Sequence, residues 1–467
     1  MTENRKKQLI YGMVPLAGLA FLLWYIRSAT CDVIYSDYIR LVNSYLPDVW
    51  NPEKFLVPDV LTRLPINYLA RIINVELFGF SITFERVLGA VSLALAGWVL
   101  GRYCLELSVA PVWYLLMMAV MFSLNKWEMI TNGSGWSHFF AFACFYYHQL
   151  LFDRFWRGEE KRGDRLKLCA LPWLITLGTA GPYCAVYSAA MMAAALFGAF
   201  RNRKREPERG KFFQKIFWMV LIPLLLYMVS NSFAVEEHAG ATGRSLFVIL
   251  KENPLFPFRF LLKSLAGMAV GGEELIGWME QGRLPESGCY LLGALMAGAY
   301  LFALWMNLRE RLYEKTLMPL ILLCSGGMNH VLIFLSRYIF EKENYALSSR
   351  YALQFQVGIL GILLTFAFIG AGKRNSRTAG KAAAVFFCLA ILMGNGYTTY
   401  REICKAPYRE ANFEKMAETA FSIPSMDQET LKEREQEISS LYEYRKGADK
   451  IQNAFRILEE NQLNQFR

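Results

Sequence analysis

The sequence predicts an all-α integral membrane protein, and three observations support this fold class. Hydrophobic residues make up 54% of the 467 residues and aromatic residues 15%, which is too apolar for a soluble chain of this length. Apolar runs recur at lengths close to the roughly 17–25 residues that span a bilayer. In the short loops between these runs, most Lys and Arg residues fall on one side, as the positive-inside rule requires of a polytopic protein.

Eleven apolar runs are predicted to span the membrane. They cover residues 8–26, 84–103, 110–125, 136–152, 167–181, 183–200, 215–233, 288–306, 316–335, 351–371 and 382–399. The first run follows a basic segment, as a signal peptide does, but its length favours an uncleaved anchor.

The distribution of cations predicts one orientation for all eleven runs. Five clusters fall on the same side: Arg5 to Lys7, Arg154 to Lys167, Arg201 to Lys215, Arg309 to Lys315, and Lys373 to Lys381. Because short cytoplasmic loops carry the excess of Lys and Arg, the amino terminus is expected in the cytoplasm. The odd number of runs then places the carboxyl-terminal tail outside, and the plasma membrane is the expected location.

Residues 1–400 form the predicted membrane domain, and three segments are expected outside it on the outer face. The loop 27–83 has apolar residues at helical spacing (Leu61, Leu64, Tyr68, Ile72, Val75), which predicts an amphipathic helix at the membrane surface. The loop 234–287 contains the apolar stretch 245–270, interrupted by cations; we interpret it as interfacial, with a hidden pair of spans as the alternative. The tail 401–467 is highly charged and favours helix, so an external helical appendage is predicted.

Composition and motifs exclude several classes of function. The formal charge of +10 comes from loops that would face anionic lipid headgroups, so nucleic acid is not an expected partner. No phosphate-binding Gly-rich loop, His-Glu-x-x-His or Gly-x-Ser-x-Gly motif occurs. The nine cysteines show neither metal-ligand spacing nor a disulfide framework. No metal ligand or cofactor is therefore assigned, and any chemistry is expected at the outer leaflet or within the bundle.

Two short motifs lie beside predicted spans on the outer face. Cys-Asp-Val-Ile-Tyr-Ser-Asp-Tyr (31–38) follows the first run, and Ser-Ser-Arg-Tyr (348–351) opens the tenth. With the large first outer loop, these motifs resemble the polytopic GT-C glycosyltransferases, which transfer a sugar from a polyprenyl-phosphate donor. Bacterial membrane glucosyltransferases that decorate surface polysaccharides are similar in plan. The family often has an acidic pair where this chain has the single Asp37.

The resemblance implies roles for particular residues. Asp37 is the expected base for the acceptor hydroxyl, with Asp32 as the second candidate, because glycosyl transfer needs a carboxylate to accept that proton. Arg350 and Tyr351 are expected to bind the donor phosphate, with Arg337 and Lys342 as further candidates. Secondary or acceptor-binding candidates are Asp59, Arg63, Glu128 and His330. The acceptor is expected to be an outer-face glycan, lipid or protein.

Structural roles and other functions remain open at this stage. An Asp in a loop often caps a helix, and an Arg at the end of a span often anchors it in the interface. A transporter or flippase for a lipid-linked or small polar substrate is the main alternative function, and Gly326-Gly327 is its best candidate for a broken helix. A surface-polysaccharide polymerase or ligase would use similar Arg chemistry, and a membrane scaffold would use the tail for docking.

Overall fold

Helices dominate the computed structural model, which describes residues 3–53, 64–233, 241–370 and 378–467. No strand occurs within those ranges. The α-helices are α1 (Glu3–Ala29), α2 (Asp37–Tyr45), α3 (Pro65–Phe78), α4 (Ile82–Glu106), α5 (Pro111–Met121), α6 (Trp127–Asn132), α7 (Trp136–Arg157), α8 (Asp164–Trp173), α9 (Cys184–Asn202), α10 (Pro207–Asn231), α11 (Leu246–Glu252), α12 (Phe256–Ala269), α13 (Gly272–Glu280), α14 (Glu286–Arg309), α15 (Met318–Arg337), α16 (Ala352–Gly370), α17 (Thr378–Ala420), α18 (Gln428–Glu433), α19 (Glu435–Leu441) and α20 (Ala448–Glu460). The all-α fold class is confirmed for this part of the chain.

Seven of the described helices are long and apolar enough to cross a membrane. They are α1, α4, α9, α10, α14, α15 and α16, in some cases extended by an adjoining turn. Each coincides with a predicted run, beginning with 8–26 and ending with 351–371. Large apolar side chains on several of them are exposed, among them Trp98, Phe200 and Leu301, as expected for surfaces that face lipid. The chain therefore has the features of a multi-pass membrane protein.

The other four predicted runs are helical but do not reach the same standard of length and hydropathy. Run 110–125 is the 11-residue α5, and run 136–152 lies in α7, whose last turns carry charge. Run 167–181 comprises part of α8, which contains Pro172, and a π-helical turn at Leu174–Thr179. Run 382–399 is part of the 43-residue α17. The count of eleven spans is thus not confirmed by helix length and composition.

Contacts between loops gather at two opposite ends of the bundle. The segments predicted to be external meet at the first end. Their hydrogen bonds run from Arg86 Nη1 to Cys31 O (2.7 Å), from Arg86 Nε to Thr131 O (2.6 Å), from Thr242 N to Ile339 O (2.9 Å) and from Asn464 N to Gly79 O (2.7 Å). At the second end meet segments predicted to be cytoplasmic, through Arg154 Nε to Glu106 Oε2 (2.9 Å), Trp156 Nε1 to Tyr313 O (2.8 Å) and Thr316 Oγ1 to Asp153 Oδ1 (2.7 Å). No hydrogen bond among these pairs joins a predicted outer segment to a predicted inner one.

The tail is not a separate appendage, because it shares an apolar core with the first loop. Residue 400 lies within α17, which continues without a break to Ala420. Buried side chains of the tail and of the loop form one cluster, which we call the loop–tail core: Val33, Ile34, Tyr35, Tyr38, Ile39, Val42, Tyr45, Phe413, Met416, Ile423, Ile438, Tyr442, Ile451, Phe455 and Leu458, with others. Helix α2 packs directly on α20.

The amphipathic helix predicted in the first loop exists as α3, although Leu61 and Arg63 lie outside the described residues. Leu64 and Tyr68 are buried, as expected of the predicted apolar stripe. Arg71 is also buried, and its guanidinium lies 4.2 Å from the Tyr45 ring centroid. A second apolar set (Leu69, Ile73, Leu77) is exposed instead.

Segment 245–270 forms the two helices α11 and α12, of 7 and 14 residues. Both are shorter than the roughly 17–25 residues a span requires, so the hidden pair of spans is not supported. Helix α12 packs against α14 through a close contact, since a Cβ at Gly293 would meet the Leu262 carbonyl oxygen at 2.0 Å. All nine cysteines are free thiols.

The loop–tail core predicts a strong effect of one tail residue on stability. Phe455 is fully buried and lies 5.1 Å from the Tyr442 ring. Phe455→Ala should cost about 3–5 kcal/mol in the stability of this region, because it leaves a cavity. Limited proteolysis of the tail should show this as faster cleavage, whereas Tyr408→Ala, at a side chain that is 80% exposed, should change little. Equal cleavage of the two variants would contradict the shared core.

Candidate functional site

Glu128 lies at the first end of the bundle, in the first turn of α6. The short connection from α5 is held by the buried ammonium of Lys126, which donates to the carbonyls of Met121 (2.8 Å) and Ser123 (2.9 Å). Behind α6, Thr131 O accepts from Arg86. These contacts place the Glu128 carboxylate on a rigid turn, with 22% of its side chain exposed.

Arg350 faces this carboxylate from a different part of the chain. It lies in the 3-10 turn Ser349–Tyr351, where the Ser348 hydroxyl accepts the backbone N–H of Arg350 at 3.4 Å. Arg350 Nε donates to Glu128 Oε1, and Ser349 Oγ donates to Glu128 Oε2 at 3.0 Å. Half of the Arg350 side chain remains exposed. The guanidinium is therefore oriented by Glu128 through Nε.

Asp37 is the second carboxylate near this guanidinium. It opens α2, and its side chain is 39% exposed with an ion pair to Arg40 at the limit of 4.0 Å. Asp37 interacts electrostatically with Arg350. The residue before it, Ser36, has the unusual φ of 51° for a non-glycine residue and donates its N–H to Tyr442 O at 2.8 Å. The tail thus holds the start of α2 in place.

Glu443 is a third carboxylate, and sequence reasoning missed it. It follows Tyr442 and has a φ of 52°. Its side chain is exposed, yet surrounding protein atoms, and next the negative charge of Glu128, raise the pKa of its carboxyl; Arg350 and Arg409 oppose that shift.

Arg337, Tyr351 and Lys342 were the other predicted phosphate ligands. The Arg337 guanidinium lies 5.6 Å from the Tyr351 ring centroid, so these two residues are neighbours beside Arg350. Tyr183 approaches the same group and interacts electrostatically with both arginines. Lys342 lies in the turn before the 3-10 helix Glu343–Leu347, and no side-chain contact in the described part of the chain brings it to Arg350.

Two predicted candidates have structural positions instead. Asp32 accepts from Ser81 Oγ (2.6 Å) and from the backbone N–H of Ile82 (2.6 Å), and so occupies the N-terminus of α4. His330 is buried in the bundle, stacked 4.2 Å from the Phe355 ring and hydrogen-bonded to Ser264 Oγ at 2.8 Å. Neither contacts Glu128 or Arg350. Asp59 and Arg63 lie outside the described residues.

A second group of charges borders the site and was also not predicted. The Arg409 guanidinium of α17 lies 3.1 Å from the Trp127 ring centroid and donates to Glu402 at 2.6 Å. Glu273 of α13 stands 3.9 Å from Arg409. Burial, and next the charge of Glu402, raise the pKa of Glu273 to about 7, although Arg409 opposes the shift.

Asp37, Glu128, Glu443 and Arg350 form one group of interacting charges, which we call the Arg350 site. It is built from the first loop, the α5–α7 connection, the turn before α16 and the tail. A half-exposed guanidinium suits a phosphate group, and a carboxylate beside it can accept a proton or a hydroxyl hydrogen bond. Among the described residues, no group of three His, Cys, Asp or Glu side chains is placed to hold a metal ion.

Comparison with known proteins adds no family to these observations. No protein-family model matches the sequence, and no curated protein or solved structure matches it significantly. The likeness to GT-C glycosyltransferases therefore remains an expectation from the two motifs and the arrangement of the chain.

The raised pKa of Glu273 predicts a pH dependence of stability. The folded carboxyl takes up its proton at about pH 7, whereas the unfolded one does so near 4.5. The contribution of Glu273 to the free energy of unfolding is therefore fully present below about pH 4.5, and it is lost as the pH rises from there towards 7. Glu273→Gln does not titrate, so its melting temperature should exceed that of the wild type by more at pH 8 than at pH 5. The exposed Glu280→Gln on the same helix is the control, and an equal pH response in both variants would contradict the assignment.

Proposed function

We propose that the protein is a membrane glycosyltransferase that moves a sugar from a polyprenyl-phosphate donor to a glycan, lipid or protein acceptor at the outer face. The observation that carries the proposal is the convergence of Asp37, Glu128 and Arg350 at one end of an apolar helical bundle. A phosphate-binding cation and an acidic base are the two groups that the reaction needs. A lipid-borne donor would present its phosphate at the membrane surface, where we propose that this end of the bundle lies.

The proposed topology has eleven crossing segments and a cytoplasmic amino terminus. The separation of loop contacts into two ends supports it, because a run that falls short in length and hydropathy can still lead from one end to the other. Helix α5, for example, begins beside Val109, which accepts from Tyr11 at the second end, and leads to Glu128 at the first. The second end carries the dense cation clusters, which favours the cytoplasm. The Arg350 site then faces outwards, at the surface of the plasma membrane.

In the proposed reaction, the acceptor hydroxyl oxygen attacks the anomeric carbon of the donor sugar. The bond from that carbon to the phosphate oxygen breaks, and the polyprenyl phosphate leaves with the bonding electrons. Asp37 takes the hydroxyl proton, since its carboxylate is accessible and close to the cation. Arg350 stabilises the charge on the departing phosphate. Glu128 holds Arg350 through Nε and leaves its terminal nitrogens for the phosphate.

Tyr351 and Arg337 extend the proposed phosphate site towards the bundle. Their contact places a second guanidinium and a hydroxyl next to Arg350. Two arginines can together balance the two negative charges that a released lipid phosphate carries. Asp32 is better explained by its hydrogen bonds at the start of α4, and His330 by its place in the packed bundle.

Transport of a lipid-linked or small polar substrate is the second candidate function. The π-helical turn at Leu174–Thr179 interrupts one of the predicted spans, and interrupted helices are typical of transporter binding sites. The Gly326-Gly327 pair does not break α15. Gly326 instead allows close packing, because a Cβ there would meet the Cα of Gly358 at 2.4 Å. A polymerase or ligase with a lipid-linked glycan donor would use the same Arg350 site.

Asp37→Asn should reduce transfer of a radiolabelled sugar from polyprenyl phosphate by about 10²–10⁴-fold, because the variant has no carboxylate to accept the proton. Asp48→Asn, at an exposed acid in the same loop, is the matched control. Membrane abundance should be the same for both variants. Near-normal transfer by Asp37→Asn would exclude Asp37 as the base.

Arg350→Ala should weaken the binding of polyprenyl phosphate by on the order of tenfold, since a charge-assisted contact to the phosphate is lost. Purified protein can be titrated with the lipid phosphate and its sugar-loaded forms, with the exposed Arg283→Ala as control. If the wild type binds no lipid phosphate, the transferase proposal fails. Movement of a substrate into sealed vesicles without any donor lipid would then favour transport.

A further inference from the structure

The tail brings a carboxylate to the Arg350 site by a specific contact with the first loop. Tyr442 O accepts the N–H of Ser36 at 2.8 Å. Asp37 follows Ser36 and Glu443 follows Tyr442, so this one hydrogen bond brings the backbones of the two acidic residues together. Tyr442 is itself fixed, because it is fully buried and its hydroxyl donates to Met416 O at 2.6 Å. The position of Glu443 relative to Asp37 is thus set by a buried anchor.

Backbone strain marks the same two turns. Ser36 and Glu443 have φ angles of 51° and 52°, a region that non-glycine residues rarely adopt. Such strain persists where the surrounding structure over-determines the conformation, and it concentrates at binding and catalytic sites. Here the loop–tail core holds both turns while their carboxylates stay accessible.

The charges around Glu443 come from three other elements. Glu128 of α6, Arg350 of the turn before α16 and Arg409 of α17 all interact with it electrostatically. Glu443 has no ion pair within 4.0 Å in the described part of the chain, whereas Glu128 is occupied by Arg350 and Ser349. The carboxylate oxygens of Glu443 are therefore available to accept hydrogen bonds from a ligand.

We propose that Glu443 is a substrate-binding residue of the Arg350 site, where its carboxylate accepts hydrogen bonds from hydroxyl groups of the donor sugar. This inference rests on the proposed function. A carboxylate suits a sugar because its two oxygens accept from adjacent hydroxyls. The tail then forms one wall of the site, and the sugar lies between Glu443 and Asp37 with its phosphate at Arg350.

The role predicts opposite changes in the binding of two related probes. The sugar-loaded probe is polyprenyl-phosphate-glucose or polyprenyl-phosphate-mannose, whichever the wild type binds more tightly than bare polyprenyl phosphate. Glu443→Ala should weaken binding of this probe by on the order of tenfold. Binding of bare polyprenyl phosphate should tighten by about threefold, because a negative charge near the phosphate is removed. Glu460→Ala, at an exposed acid of the same tail, should change neither affinity.

A structural defect would weaken the binding of both probes. Parallel losses of affinity in Glu443→Ala would therefore overturn the proposal, as would two unchanged affinities. A second experiment separates this proposal from the transferase function. Full-length protein carrying Asp37→Cys and Glu443→Cys should be cross-linked by a short bismaleimide, whereas Asp37→Cys with Glu460→Cys should not. Absence of the first cross-link would overturn the position of Glu443. If the cross-link forms but the wild type binds no lipid phosphate, the transferase proposal and the sugar-binding role both fail.

Discussion

Burial of the loop–tail core is the interaction on which the Arg350 site depends. Residues 33–49 and the helices after Phe413 are separated by more than 350 positions, yet they share buried aromatic and aliphatic side chains. Neither segment is long enough to bury such a core alone. Their association brings Asp37 and Glu443 to the same edge, against the rigid turn that carries Glu128. Without it, the two carboxylates would lie on separate mobile segments.

The bilayer supplies the second constraint. Backbone groups within lipid must be paired internally, so the chain crosses as helices and its irregular segments collect at the ends. Connections that are distant in sequence therefore meet in two small regions. One region holds the cation-rich segments 154–167 and 201–215, with ion pairs such as Arg154 with Glu106. The other holds Arg350 and its accessible acids, which is why chemistry is proposed there.

Much of the fold was predictable from local patterns. The all-α class and the seven helices long and apolar enough to cross a membrane follow from run length and hydropathy. The residues of the site were predictable only one at a time. Asp37 and Arg350 stand next to spans, and Glu128 was chosen as a secondary acid, but nothing in the sequence pairs Glu128 with Arg350 across 222 positions. Asp32 lies closer to the first span than Asp37 does, and only the geometry shows that its oxygens accept hydrogen bonds at the start of α4.

Glu443 and Arg409 were missed because a charged tail has the same composition whether it is solvated or packed against a partner. A signal was present in the tail, where Ile451, Phe455 and Leu458 recur at helical spacing and are buried. Such a stripe indicates that α20 packs on something. It does not identify α2 as the partner, and the strained turn at Glu443 has no local sequence signature such as glycine.

Sidedness is the most direct test of the central claim that the Arg350 site faces outwards. Single cysteines at Glu460→Cys, in the same tail as Glu443, and Arg162→Cys, in a segment predicted to be cytoplasmic, can be compared in a background without the exposed Cys324 and Cys404. A membrane-impermeant maleimide added to intact cells should label position 460 directly and position 162 only after permeabilisation. The reverse pattern would place the site in the cytoplasm and contradict the account.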